Sequence, residues 1–208
     1  MKKLLLLPLI TLAFSCGAPS EKTSEVAELP ILGERYVDDN QDTVYHSIAD
    51  FAFVNQLGDT IRKEDMAGKI YVADFFFTTC PTICPIMKKE MLRVYEQFKG
   101  EGNFRILSHS IDPTHDTQAV LKDYAEKLGV PNAATWNFLT GDQEKIFEIG
   151  QTSYLTTTMA DDMEPGGFLH SGAFLLVDQQ GRIRGVYDGT KTEQVDRLLA
   201  DIPKLLKP

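Results

Sequence analysis

Between Ile70 and Phe77 the chain is almost wholly apolar and β-rich, and just beyond it runs Cys80-Pro81-Thr82-Ile83-Cys84-Pro85. An apolar run of this length, without alternation, fits a strand buried on both faces, hence a sheet with helices packed above and below it. The two prolines and two cysteines then fall at the top of that strand, where a helix begins. Pro85 suits a first helical turn, because its missing N–H would be unpaired there anyway, and Cys84 lies beside the N-cap. Free N–H groups and the helix dipole at that place lower a thiol's pKa, which predicts a pair of reactive thiolates near neutral pH.

The rest of the chain alternates. A hairpin is expected over residues 52–61, the buried strand over 69–77, a helix over 85–99, a strand over 104–111 and a helix over 116–128 with Gly129 as its stop. A short strand (136–139), a helix (143–149), an irregular stretch (152–169), two strands joined at Gln180-Gly181 and a last helix (193–206) follow. This strand–helix–strand order with a closing hairpin and helix resembles the thioredoxin arrangement: an α/β fold with a central mixed β-sheet flanked by helices and an N-terminal β-hairpin extension. Fold pattern alone assigns no function.

At 208 residues the chain suits one domain plus appended segments. Lys+Arg 21 against Asp+Glu 30, a net charge of −9, argues against a nucleic-acid partner or an anionic membrane face held by bulk charge. The start is different in kind. Met1-Lys2-Lys3 followed by an apolar run to Phe14 is too short to span about 30 Å of hydrocarbon and reads as an export signal. It ends in Ala13-Phe14-Ser15-Cys16-Gly17, which resembles a bacterial lipoprotein box. The expected organisation is a lipoprotein-type signal peptide over residues 1–15, a tether and transition segment over 16–44, and the thioredoxin-like domain over 45–208. Cys16 would carry the lipid, placing the domain on the periplasmic side.

With Cys16 lipidated, Cys80 and Cys84 are left as one close pair in an oxidising compartment. A disulfide closing so small a loop adds little stability, so its purpose is chemical. Three residues separate the cysteines, and this wider loop lets both sulfurs close a disulfide or face a common ion, Cu(I) or Zn. Of the four histidines, His46 lies in a loop, His109 reads as packed in a strand, and His115 as part of the cap of the second helix. His170 stands where thioredoxin-like chains carry a proline packed against the cysteine pair, which makes it the candidate third ligand. Met87 and Met91 read as core, Lys88-Lys89-Glu90 as a solvated helix face, and Met159 and Met163 as parts of an acidic loop ahead of His170.

Taken together, Thr78-x-Cys80-Pro81-x-x-Cys84-Pro85, Asp112-Pro113-x-x-Asp116-Thr117 and His170-Ser171 before an apolar strand resemble the Sco/SenC family. The resemblance implies a membrane-tethered, thioredoxin-fold copper chaperone acting on the dinuclear copper centre of cytochrome c oxidase. Carried over by position, it implies Cys80, Cys84 and His170 as ligands of one copper ion, Cu(I) or Cu(II), with the Cys80–Cys84 disulfide gating its loading. The implied partners are the copper-accepting subunit of the oxidase, a copper donor and a thiol reductant. Three positions depart from the family pattern: Phe76 for a glycine, His115 for an arginine, and Leu169 for an acidic residue ahead of the histidine. Two other classes share these residues. A thiol–disulfide oxidoreductase would keep the oxidase cysteines reduced with the same pair, and a peroxidase would use Cys80 alone.

Overall fold

The computed structural model describes residues 28–206; the expected signal peptide and Cys16 lie outside them. Seven strands form one sheet in the order β11-β10-β5-β6-β7-β3-β4, where β3 is Ala52–Asn55, β4 Thr60–Arg62, β5 Ile70–Phe76, β6 Phe104–Ser110, β7 Trp136–Thr140, β10 Ala173–Val177 and β11 Ile183–Asp188. The pairs β5–β6 and β6–β7 are parallel, while β10 runs antiparallel to both β5 and β11. All seven residues of β5 are buried, as expected for a central strand with helices on both sides.

Helix α1 (Cys84–Phe98) buries Met87, Met91, Val94 and Phe98 against the sheet. Glu90 departs from its expected solvated place. It is 5% exposed and accepts hydrogen bonds from Arg93 (2.5 Å) and Thr192 Oγ1 (3.0 Å), tying α1 to the start of α4 (Thr192–Leu206). Helix α2 (Gln118–Lys127) is capped by Thr117, whose side chain accepts from Val120 N–H. The cap is therefore Thr117 and not His115, because a short hydroxyl fits the N-terminal turn that an imidazole would overfill.

Asp74 and Ser108, paired across β5 and β6, point to the α1 face of the sheet, and Phe75 and His109, paired one residue on, point to the other. On that second face Phe51, Phe53, Phe75 and Tyr154 enclose His109, whose centroid lies 5.0 Å from that of Phe75 in a stacked arrangement. Helix α3 (Gln143–Glu148) covers this face and runs on into a π-helical turn, Ile149–Ser153. His46 Nε2 donates to this turn's Ser153 carbonyl across 2.7 Å, docking the N-terminal segment beneath it.

Two small hairpins stand outside the main sheet. Strands β1 (Arg35–Val37) and β2 (Thr43–Tyr45) pair across the end of the expected transition segment, their turn held by Asp38 Oδ1, which accepts from Asn40 and Asp42 N–H. Strands β8 (Thr158–Ala160) and β9 (Phe168–His170) pair within the stretch expected to be irregular. That second hairpin delivers His170.

Candidate metal centre

The site is built where three elements end together. Strand β5 stops at Phe76, the chain turns through Phe77-Thr78-Thr79, and Cys80 N–H bonds back to Phe77 O at 3.2 Å. Ile83 is the N-cap of α1, Cys84 its first residue and Pro85 its second, so the helix begins on the cysteine. Strand β9 enters from the other side and ends on His170.

The Nε2 atom of His170 lies 3.3 Å from Cys84 Sγ and 3.8 Å from Cys80 Sγ, and the three candidate donor atoms all fall within 4.8 Å of one another. Residues 86 or more apart along the chain thus meet at one point. Both cysteines are free thiols, and all three side chains are nearly covered, at 7–8% exposure. Two sulfurs and one imidazole nitrogen are a soft set suited to Cu(I), and they leave a coordination position open.

The imidazole is held from behind. Its Nδ1 faces Ser171 O at 3.2 Å, and its ring stands edge-on to Phe77. Where the family pattern places an acid before the histidine, this chain has Leu169, and a backbone carbonyl serves instead. If Nδ1 carries the proton and donates to that carbonyl, Nε2 presents its lone pair to the sulfurs, the usual outer support of a metal-bound histidine.

Electrostatics divides the two thiols. Burial pushes Cys80 up, but hydrogen bonds from the Thr82 and Cys84 backbone and side chains outweigh it, and the net shift is downward. Burial dominates at Cys84 and, with the Cys80 charge beside it, drives that thiol well above its ordinary value. The expected pair of thiolates is therefore one thiolate-prone sulfur and one buried thiol, because Cys80 occupies the loop that supplies donors while Cys84, the first residue of α1, is buried against the core. His170 is shifted down by burial, which keeps it neutral and able to ligate.

One anchor of this site escapes a reading of local sequence. Asp116, fully buried, accepts from Thr78 N–H (3.0 Å), from Thr78 Oγ1, and from Ser110 Oγ (2.6 Å). The second motif thereby fixes the loop of the first. Asp74 lies below Cys84 on the α1 face, its carboxyl raised to about 7 by burial despite a hydrogen bond from Ser108. His115 is exposed and His46 is engaged with Ser153; neither joins the cluster. Met87 and Met91 are core, at 2% and 1% exposure, whereas Met163 is 91% exposed in the turn between β8 and β9.

A thioredoxin-like sheet with a free dithiol at the start of α1 and a facing histidine defines a class: dithiol proteins with an imidazole set as a third donor beside the sulfurs. The chain belongs to the SCO1/SenC family, whose family model matches residues 39–207. It is 31% identical over 164 residues to the SCO1 protein homolog of Bacillus subtilis, covering 78% of this chain and 84% of that one. Among solved structures, a SCO1/SenC family lipoprotein from Bacillus anthracis superposes with a TM-score of 0.70 at 29% identity, covering 78% and 96% of the two chains. BsSco, described through a disulfide switch and as a member of the Sco family of cytochrome c oxidase assembly proteins, gives 0.68 at 30%, covering 78% and 94%. The fold extends to ScoI of Bradyrhizobium japonicum, solved with copper bound, at 22% identity and a TM-score of 0.60, covering 77% and 99%.

Proposed function

We propose that this chain is a membrane-tethered copper chaperone that carries one copper ion on Cys80, Cys84 and His170 and delivers it to the dinuclear copper centre of cytochrome c oxidase. The convergence of His170 Nε2 on both sulfurs carries the reading. A dithiol catalyst needs no such imidazole, and a peroxidase needs neither Cys84 nor His170. Burial of the trio excludes bulk water, while the open coordination position admits an acceptor's thiolate. Copper then moves by ligand exchange, one donor at a time, with no free ion.

Relatives support the wider setting: a ScoI solved with copper bound, a disulfide switch in BsSco, and a lipoprotein from Bacillus anthracis. In this reading Cys16 carries lipid after removal of residues 1–15, residues 16–44 lead to the domain, and the domain stands on the periplasmic side. Among the described residues no helix is long and apolar enough to cross a membrane. A copper donor and a thiol reductant complete the cycle, since the Cys80–Cys84 disulfide holds no copper until it is reduced.

The unequal thiols favour one second reading. A thiolate-prone Cys80 beside a buried Cys84 suits attack on a partner disulfide by Cys80, followed by resolution by Cys84, which would keep the oxidase cysteines reduced. Anaerobic titration of the full chain separates the two. The reduced protein is expected to bind one copper per chain with a sulfur-to-copper absorption band, and the oxidised protein none. Rapid dithiol turnover without metal, together with weak copper binding, would favour the reductase.

A further inference from the structure

A charged cluster toward the other end of the sheet has no part in the chemistry above. Arg184 of β11, 5% exposed, donates to the carbonyls of Leu29 and Pro30 (3.0 Å for Pro30), to Glu28 Oε1 (3.4 Å) and to Asp178 Oδ2 (3.0 Å). Asp178, 4% exposed, also accepts from Arg182 Nε at 2.9 Å. Leu32 N–H bonds Ile183 O at 2.8 Å, and Leu29 and Leu32 pack on the core. A buried guanidinium that satisfies successive backbone carbonyls holds a chain in place more firmly than a surface ion pair does.

The register shows where this clamp lies. Ile183 pairs with Val177, and Val177 pairs with Tyr71 near the start of β5, whereas the cysteine loop follows the end of β5. At about 3.3 Å per residue, the clamp and the metal centre sit roughly 20 Å apart along the strands, at opposite ends of the sheet. The segment leading back to Cys16 therefore enters the domain at the end away from Cys80, Cys84 and His170.

We propose that the Arg184 clamp sets the polarity of the tethered domain: the lipid-bearing end meets the sheet opposite the metal centre, so the centre faces away from the bilayer. This rests on the lipid anchor at Cys16. The stretch between Cys16 and Glu28 reaches at most roughly 40 Å fully extended, and the sheet adds its own length. The full chain carries a net charge of −9, and loss of Lys2 and Lys3 with residues 1–15 makes the anchored form more negative still, so it gains nothing from lying down on anionic lipid.

The test uses the full lipidated chain in phosphatidylcholine–phosphatidylglycerol vesicles carrying a headgroup energy-transfer acceptor. A donor dye is placed on Cys80 in Cys84→Ser, or on Gln180→Cys at the β10–β11 turn in a Cys80→Ser, Cys84→Ser background. Transfer from position 180 is expected to exceed that from position 80 at least about twofold, given the roughly 20 Å between the two ends. Arg184→Ala, or Leu32→Pro if the first variant does not fold, is expected to bring the two values together. Equal or reversed values in the otherwise unaltered chain would overturn the polarity, while failure to float with the vesicles would overturn the anchor and the proposal with it. The dye measurement decides the polarity even if no copper binds.

Discussion

Asp116 reaches no metal ligand, yet it accepts from Thr78 just ahead of Cys80, so the sulfur's position depends on it. In Asp116→Asn the amide cannot accept from Thr78 N–H, Thr78 Oγ1 and Ser110 Oγ together. A loss of about 2 kcal/mol in denaturant stability is expected, as for hydrogen bonds to a buried charge. A roughly tenfold loss of copper affinity in a competition titration should accompany it, as for groups that support metal ligands. Two other buried residues govern the response to acid. His109, with both ring nitrogens unpartnered, is held by burial at about 4, so the unfolded chain takes up this proton near 6.5 and the folded chain only near 4. Its contribution to stability is complete above pH 6.5 and is lost as pH falls toward 4, by about 3 kcal/mol. Asp74 has the opposite sign: raised to about 7, it makes the folded state the better proton binder from pH 3.8 to 7, so its contribution falls as pH rises through that window. The two largely cancel. Urea titrations of His109→Phe should show stability falling as pH rises from 4 to 7, and Asp74→Asn the reverse; a flat profile in both would refute the assignment.

At the scale of elements, the hairpin β8–β9 decides whether the trio forms at all, since His170 is its last residue. Gly166 in its turn has φ +96°, and a Cβ there would stand 2.7 Å from Phe77, the ring that His170 packs against. Gly166→Ala is expected to cost about 1–3 kcal/mol and to speed amide exchange across residues 158–170 while leaving the central sheet protected. Sequence periodicity did not reveal this hairpin. Its three-residue strands are too short to show alternation, and Asp161-Asp162-Met163-Glu164-Pro165-Gly166-Gly167 looks like any polar loop. The pairing of β1 with β2 was hidden for the same reason. By contrast, β5 and α1 were plain in the sequence, because an apolar run and a helical stripe of Met87, Met91, Val94 and Phe98 record burial directly. The residue types of the centre were legible too. What the chain did not disclose is the Thr78–Asp116 latch, the burial of Glu90 and the inequality of the two thiols, each of which depends on contacts between distant segments.

Across the whole molecule, the fold holds two thiols and an imidazole at one end of the sheet and receives the N-terminal segment at the other. The same covered, low-dielectric setting that keeps His170 neutral leaves Cys84 protonated, so metal loading must displace that proton. The most direct test loads the reduced full chain with one equivalent of Cu(II) and records X-ray absorption together with pulsed electron paramagnetic resonance, on wild type and His170→Ala. Wild type is expected to show two sulfur scatterers near 2.3 Å and one imidazole nitrogen near 2.0 Å, the distances usual for such ligands. His170→Ala should lose the nitrogen coupling and fall in affinity by more than the roughly 10–100-fold that an outer partner costs. Identical spectra and affinities for the two proteins would contradict the account, because His170 would then lie outside the copper site.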